Sequence, residues 1–224
     1  MLDSLTHLAL EVKYLDRSRE FYTTYFDLPV EREGEHEVVF RAGETALILR
    51  RPIRVPRGGL HTHYAFSTPP AEYDDWWDSL EDLDPDEHTF GSARSLYVDD
   101  PDDHCVEIGE GDGSGTGLTG IFEVVLEVAD LERAEEFYTD LGFERTDRGS
   151  DRRRVRLAGP MDLELWEPQL GLADARGGVH VDLGFETRDP QAAVEPVRER
   201  ACAVESFDGA LRVIDPDGHS LSFG

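Results

Sequence analysis

Glu127-Val128-Ala129-Asp130-Leu131-Glu132-Arg133-Ala134-Glu135-Glu136-Phe137-Tyr138 repeats the pattern of Glu11-Val12-Lys13-Tyr14-Leu15-Asp16-Arg17-Ser18-Arg19-Glu20-Phe21-Tyr22. Two further stretches recur in the same order. Gly58-Gly59-Leu60-His61 returns as Gly177-Gly178-Val179-His180, and Leu96-Tyr97-Val98-Asp99-Asp100-Pro101-Asp102-Asp103-His104 as Leu211-Arg212-Val213-Ile214-Asp215-Pro216-Asp217-Gly218-His219. Three matches in one order, at nearly one spacing, mark an internal duplication. Between the copies, Gly109-Glu110-Gly111-Asp112-Gly113-Ser114-Gly115-Thr116-Gly117 places glycine at every second position and reads as a flexible linker. Domain one is therefore expected at residues 1–110 and domain two at 118–224.

Each copy divides again. A strand of alternating pattern over 5–12 precedes a helix that Asp16 caps and that runs to about Phe26, with Phe21, Tyr22 and Tyr25 as its apolar stripe. Strands follow at 37–41 and 45–50. A second half opens with a strand over 61–67, then a helix over 71–83 carrying Trp76, Trp77 and Leu80. It closes with strands at 94–99 and 104–109, joined by an Asp-Pro-Asp turn. Domain two repeats this order, and Asp189-Pro190 reads as a cap and first-turn proline for its last helix. The expected class is α+β: tandem duplicated domains, each of two paired βαβββ modules. Such a module buries one sheet face under its own helix and leaves the other face available for a site.

Composition narrows the function. Asp+Glu 49 outnumber Lys+Arg 22, for a formal net charge of −27. That excludes nucleic-acid binding, which needs cations to displace counterions, and docking on anionic lipid. Lys13 is the one lysine. Excess acid with so little lysine suits a halophile's cytoplasm at molar salt, where the screening length falls to about 3 Å; an ordinary acidic protein is the alternative. Cys105 and Cys202 are too few for a disulfide framework, which points to a reducing compartment. Met1-Leu2-Asp3-Ser4 has neither a basic region nor an apolar core, and no apolar run is long enough to span a bilayer. A cytoplasmic location is expected.

The chemistry is sought on strands. In Leu60-His61-Thr62-His63-Tyr64-Ala65-Phe66, alternation sets His61, His63 and Ala65 on one face. Thr6-His7-Leu8-Ala9-Leu10 and His104-Cys105-Val106-Glu107-Ile108 share this grammar, with the aliphatic residues turned towards the helix and His7 and Glu107 turned away. His7, His63 and Glu107 make two imidazoles and a carboxylate, the facial set that suits Fe(II); Mn, Ni and Zn are alternatives. His61 could replace His63 as a ligand. Cys105 reads as a small core residue, and His104 and His219, in their Asp-Pro turns, as solvent-facing.

The βαβββ halves, Leu131-Glu132-Arg133-Ala134-Glu135-Glu136-Phe137-Tyr138 with Leu141-Gly142-Phe143, His63-Tyr64-Ala65-Phe66 and Asp215-Pro216-Asp217-Gly218-His219 together resemble the vicinal oxygen chelate superfamily. That group includes glyoxalase I, bleomycin-resistance proteins and type I extradiol dioxygenases. The resemblance covers nearly the whole chain. It implies paired modules curled into a cup with metal and substrate on its concave face, and it places His7, His63 and Glu107 where extradiol enzymes carry Fe(II). Tyr97 falls where those enzymes carry a tyrosine that meets the substrate oxygen. Their non-ligand acid/base histidine has no counterpart before His63, so His61, or His36 by a loop, is the candidate.

Glyoxalase-type members add a glutamate on the fourth strand of a half. Thr45-Ala46-Leu47-Ile48-Leu49 has none. Domain two sets Glu123, Asp182 and Ser222 against His7, His63 and Glu107, and Glu164 at the glyoxalase-like position without partners, so it reads as a metal-free scaffold. His180, repeated there, reads as structural. The expected function is extradiol cleavage of a catechol-like aromatic by dioxygen, with Tyr97 and His61 managing protons. A glyoxalase-like lyase or isomerase, and a non-catalytic resistance-type binding protein, are the alternatives. Monomer and homodimer stay open.

Overall fold

The computed structural model describes residues 2–51, 61–111, 115–150, 153–168, 181–207 and 209–224. His180, the Gly177-Gly178 pair and the connection at 52–60 lie outside them. The first half comprises β1 (Ser4–Glu11), α1 (Leu15–Tyr25), β2 (Val30–Glu33), β3 (Glu37–Ala42) and β4 (Thr45–Arg50). The second comprises β5 (His61–Thr68), α2 (Tyr73–Leu80), β6 (Asp86–Phe90), β7 (Ala93–Asp99) and β8 (Cys105–Glu110). The third holds β9 (Gly120–Glu127), α3 (Leu131–Asp140), β10 (Glu144–Arg148), β11 (Arg154–Ala158) and β12 (Asp162–Trp166). The fourth holds β13 (Asp182–Glu186), α4 (Pro190–Val194), β14 (Ala203–Phe207), β15 (Ala210–Ile214) and β16 (Ser220–Phe223). Each half is βαβββ, as expected.

The partner of each half comes from the other copy. One eight-stranded sheet runs β14-β15-β16-β13-β1-β4-β3-β2, and the other β10-β11-β12-β9-β5-β8-β7-β6. The first strands meet antiparallel at both junctions, β1 with β13 and β5 with β9. Chain length explains the second junction. After β8, the chain needs to step only across β5, about 10 Å, to set β9 on its far side. Short connections to a neighbouring position are the favoured solution. The glycine-rich segment is tied down as it crosses: Gly111 N–H donates to Thr68 O (2.9 Å), Thr119 N–H to Ser67 O (2.8 Å) and Gly117 N–H to Glu72 Oε2 (2.6 Å). Its described residues are therefore bound to β5 and its flank, not a free tether. Gly43 allows the crossing. It has φ 59°, and a Cβ there would stand 1.7 Å from Thr119 O.

Apolar residues alternate towards the helices. Tyr64 and Phe66 of β5, Val106 and Ile108 of β8, and Val124 and Leu126 of β9 are fully buried. Phe26, just after α1, packs on Phe66 and Trp76, so the two sheets share one core on their helix sides. Each such side chain stabilises the fold by about 1.5–3 kcal/mol. The cap of α1 differs from expectation. Asp16 lies in its first turn, whereas Tyr14 is the N-cap and makes no side-chain cap bond. In the other copy Asp130 does cap α3, accepting from Arg133 N–H. No helix among the described residues is long and apolar enough to cross a membrane.

The repeated Asp-Pro turns join the two sheets. In the β7–β8 turn, Asp100 Oδ1 accepts from the backbone N–H groups of Asp102 and His104 (2.8 and 2.9 Å), and Oδ2 accepts from Tyr22 OH (2.9 Å). Asp102 Oδ1 accepts from Lys13 N–H (2.8 Å), and His104 Nε2 reaches Glu11 O (3.3 Å). The copy matches group for group. Asp215 accepts from Asp217 N–H, His219 N–H and Tyr138 OH, Asp217 accepts from Ala129 N–H, and His219 Nε2 meets Glu127 O. His104 and His219 are therefore buried, at 3% and 0% exposure, and not solvent-facing as expected. Each turn lies in one sheet and grips the first strand and helix of the other.

Candidate metal centre

The register around β5 builds the site. Ala65 stands opposite Glu107 on one side and Glu123 on the other, with His63 one alternation along. All three polar side chains occupy the face away from the helices, and the single methyl of Ala65 leaves the space between them open. His63 Nε2 lies 3.3 Å from Glu107 Oε2 and 3.4 Å from Glu123 Oε1. One ligand atom from each residue falls within 4.8 Å of the others, and all three residues are buried. Glu107 Oε2 is buried and makes no hydrogen bond.

The electrostatics ask for a cation. Burial alone would lower His63, but the adjoining carboxylates of Glu107 and Glu123 raise it to about 9. Burial alone would raise Glu107, but His63, Ser95 and Tyr97 hold it below its ordinary value. Two carboxylates thus keep a proton on an imidazole well above neutrality, and a divalent ion would serve them better. The donor set fits a metal: one nitrogen and two oxygens at the right separation, two buried carboxylate oxygens (Glu107 Oε2 and Glu123 Oε2) that make no hydrogen bond, and open coordination positions.

A third carboxylate flanks these ligands. Glu164 of β12 accepts from Arg154 Nη1 (3.1 Å) and Arg156 Nη1 (3.4 Å) at Oε1, and from Trp166 Nε1 (2.6 Å) at Oε2. Burial raises its pKa above the usual carboxylate range despite these donors. Arg156 Nη2 also meets Glu123 Oε2 (2.5 Å) and Asp162 Oδ2 (2.8 Å). On the opposite side, Tyr97 is in register with Glu107, and its ring packs edge-on against His63, with centroids 5.6 Å apart.

Of the expected triad, His63 and Glu107 come together and His7 does not. His7 is in the other sheet, laid over Gly184 with its Nε2 3.7 Å from Asp182 Oδ2. Pairing between copies is the physical reason: beside β5 stands β9 with Glu123, not β1. The place equivalent to the centre in that other sheet holds His7, Ile48, Asp182 and Ser222. It is satisfied internally, since Asp182 accepts from Ser220, Ser222 and Arg50. Burial would raise Asp182, but His7, Arg50 and Ser222 hold it at about 2. Its stabilising contribution is present above the unfolded value near 3.9 and is lost as pH falls towards 2, about 2 kcal/mol in all. In urea titrations between pH 5 and 2, Asp182→Asn should flatten the acid dependence; an unchanged slope would contradict this account.

His61 is also displaced from the expected face. A register shift between His61 and His63 sets His61 opposite Leu126, a helix-facing residue. Its ring stacks on His104 with centroids 5.0 Å apart, and its Nε2 lies 3.2 Å from His104 Nδ1. Because Glu11 O can only accept, His104 Nε2 is the donor to it, and His104 Nδ1 faces His61 Nε2. Burial and then His104 lower the His61 pKa well below its ordinary value. His61 is therefore a packed neutral residue and not a proton carrier at the centre. His36 belongs to the β2–β3 turn of the other sheet.

Glu123 and Glu164, expected in a metal-free scaffold, instead lie at or beside the centre, and Arg154 and Arg156, for which no role is expected from the sequence, pair with them. One signal was present in the sequence: Glu123 is a lone acid within Ile121-Phe122-Glu123-Val124-Val125-Leu126, and Glu164 is another between Leu163 and Leu165.

Residues 4–108 match the family described as the Glyoxalase/Bleomycin resistance protein/Dioxygenase superfamily. The metallothiol transferase FosB of Staphylococcus epidermidis is 26% identical over 119 residues, which is 50% of this chain and 86% of that protein. FosB of Lysinibacillus sphaericus is 28% identical over 118 residues, 49% of this chain and 84% of that protein. Among solved structures, glyoxalase I of Zea mays aligns with TM-score 0.73 at 18% identity, over 98% of this chain and 91% of that one. A candidate dioxygenase of Bacillus subtilis aligns with TM-score 0.75 at 15% identity, over 99% and 84%. These two likenesses show the fold.

Proposed function

We propose that this chain, whose place in the glyoxalase/bleomycin resistance protein/dioxygenase superfamily is supported by the family match and the structural neighbours, is a glyoxalase-like metal-dependent lyase or isomerase of a small carbonyl substrate. His63, Glu107 and Glu123 would hold the ion. One imidazole with two carboxylates is richer in oxygen than the two-histidine, one-carboxylate set associated with Fe(II), which suits Mn; Ni and Zn stay open through the imidazole. When bound, the ion supplies Lewis acidity at a substrate carbonyl oxygen. The observation that carries this reading is Glu164, a carboxylate beside the ligands whose burial raises its pKa and so makes it a stronger base. Such a group takes a proton from a carbon next to the carbonyl and returns it to the neighbouring carbon. Trp166 and Arg154 orient it, and Tyr97 lines the facing side. The partial likeness to FosB, named a metallothiol transferase, supports a metal-dependent reaction.

The test is solvent-deuterium exchange into α-hydroxy carbonyl compounds by Mn-loaded protein. Glu164→Gln should cut exchange by about 10²–10⁴-fold while the metal is retained. Full exchange in that variant would contradict the assignment. Extradiol cleavage of a catechol keeps one supporting observation, the position of Tyr97 beside His63 and Glu107. Oxygen uptake with catechols after anaerobic Fe(II) loading, without deuterium exchange, would favour it over the carbonyl reading.

A further inference from the structure

We infer that Arg156 limits the protein ligands of the centre to three single oxygen or nitrogen atoms, and so keeps the remaining coordination positions for substrate. The inference rests on the metal centre proposed above. Glu123 is held at both ends: Oε1 faces His63 Nε2 at 3.4 Å, and Oε2 is 2.5 Å from Arg156 Nη2. This ion pair lacks hydrogen-bond geometry, but it sets the guanidinium against Oε2 and leaves Oε1, turned to His63, as the oxygen open to a metal. The same guanidinium reaches Glu164 Oε1 through Nη1 at 3.4 Å, while Arg154 shares that oxygen and Trp166 Nε1 takes Oε2. Glu164 is thereby kept beside the centre and out of the ligand set. Asp162, the third acid on Arg156, completes the anchor that fixes the fork.

Charge points the same way. Glu107 and Glu123 balance a divalent ion, while Arg156 stands against Glu123, Asp162 and Glu164, and Arg154 against Asp147 and Glu164, so Arg156 is a counter-ion that Glu123 and Glu164 share. Without the Arg156 guanidinium, Glu123 loses its counter-ion next to a dication, and Glu164 keeps Arg154 alone. Glu123 would then chelate through both oxygens, or Glu164 would turn inward as a fourth ligand. Arg156 touches neither ion nor substrate in this account. It is a positioning residue that acts through Glu123 and Glu164.

The test counts the water molecules bound to Mn(II) on the full chain, by water-proton relaxation and by electron spin echo in deuterated water. The wild type should show about three waters, as expected for an octahedral ion with three single-atom protein ligands. Arg156→Leu should lose at least one of them and bind Mn(II) roughly tenfold more tightly, because a nearby cation has been removed. Arg156→Lys keeps a charge at the site, guarding against misfolding, but one ammonium cannot span Glu123, Asp162 and Glu164. It too should lose a water, with little change in affinity. Unchanged water numbers in both variants would overturn the role of Arg156 and leave the centre intact. A wild type that binds no Mn(II) would overturn the centre itself.

Discussion

Asp100→Ala should destabilise the protein by about 3–4 kcal/mol, lowering its melting temperature by roughly 10 °C for a chain of this size. The side chain is 4% exposed and accepts from two backbone N–H groups and from Tyr22 OH. Alanine leaves the two amides buried without an acceptor. Tyr22 keeps Tyr64 OH at 2.5 Å but loses its acid. The effect should be large because Asp100 ties sheet to sheet: loosening its turn also frees the grip of Asp102 on Lys13 N–H and of His104 on Glu11 O. Asp100→Asn keeps a carbonyl oxygen for the amides and should lose less than half as much. Equal loss in the two variants, or a loss below about 1 kcal/mol in Asp100→Ala, would show that the turn is not an anchor.

His63→Ala should weaken divalent-metal binding by more than about 100-fold, because it removes the one nitrogen of a three-atom set, while His7→Ala should leave binding within about twofold. The contrast matters more than either value. His63 faces both glutamates, whereas His7 contacts Asp182 in the other sheet. In the unloaded protein, His63→Ala should also strip Glu107 and Glu123 of the imidazole whose pKa they raise to about 9. Isothermal titration with Mn(II) and Zn(II) on both variants reads the contrast directly. Loss of binding in His7→Ala with retention in His63→Ala would invert the assignment.

Much of the fold can be read from the chain. The repeated Leu131–Phe137 and Leu15–Phe21 patterns locate the two long helices, and the Asp-Pro turns mark the closing hairpin of each copy. The strands β6 and β10 were not legible, since every residue of both is exposed and no alternation shows. Part of the candidate site could be read as well: His63 and Glu107 lie in neighbouring strands of one half, so local alternation sets them on one face. Glu123 could not, because whether β5 meets β9 or β1 is a long-range choice that periodicity does not encode. His61 failed for a local reason, a bulge that breaks the alternation on which its placement rested. The buried state of His104 and His219 depends on carbonyls in the opposite sheet, again beyond what spacing within a turn reveals.

The most direct measurement is anomalous diffraction at the manganese edge from crystals grown with Mn(II). The account predicts one strong peak on the face of β5, β8 and β9 away from the helices. Its ligands should be His63 Nε2 and single oxygens of Glu107 and Glu123, at roughly 2.0–2.3 Å. A peak beside His7 and Asp182, or none between His63 and the two glutamates, would contradict it.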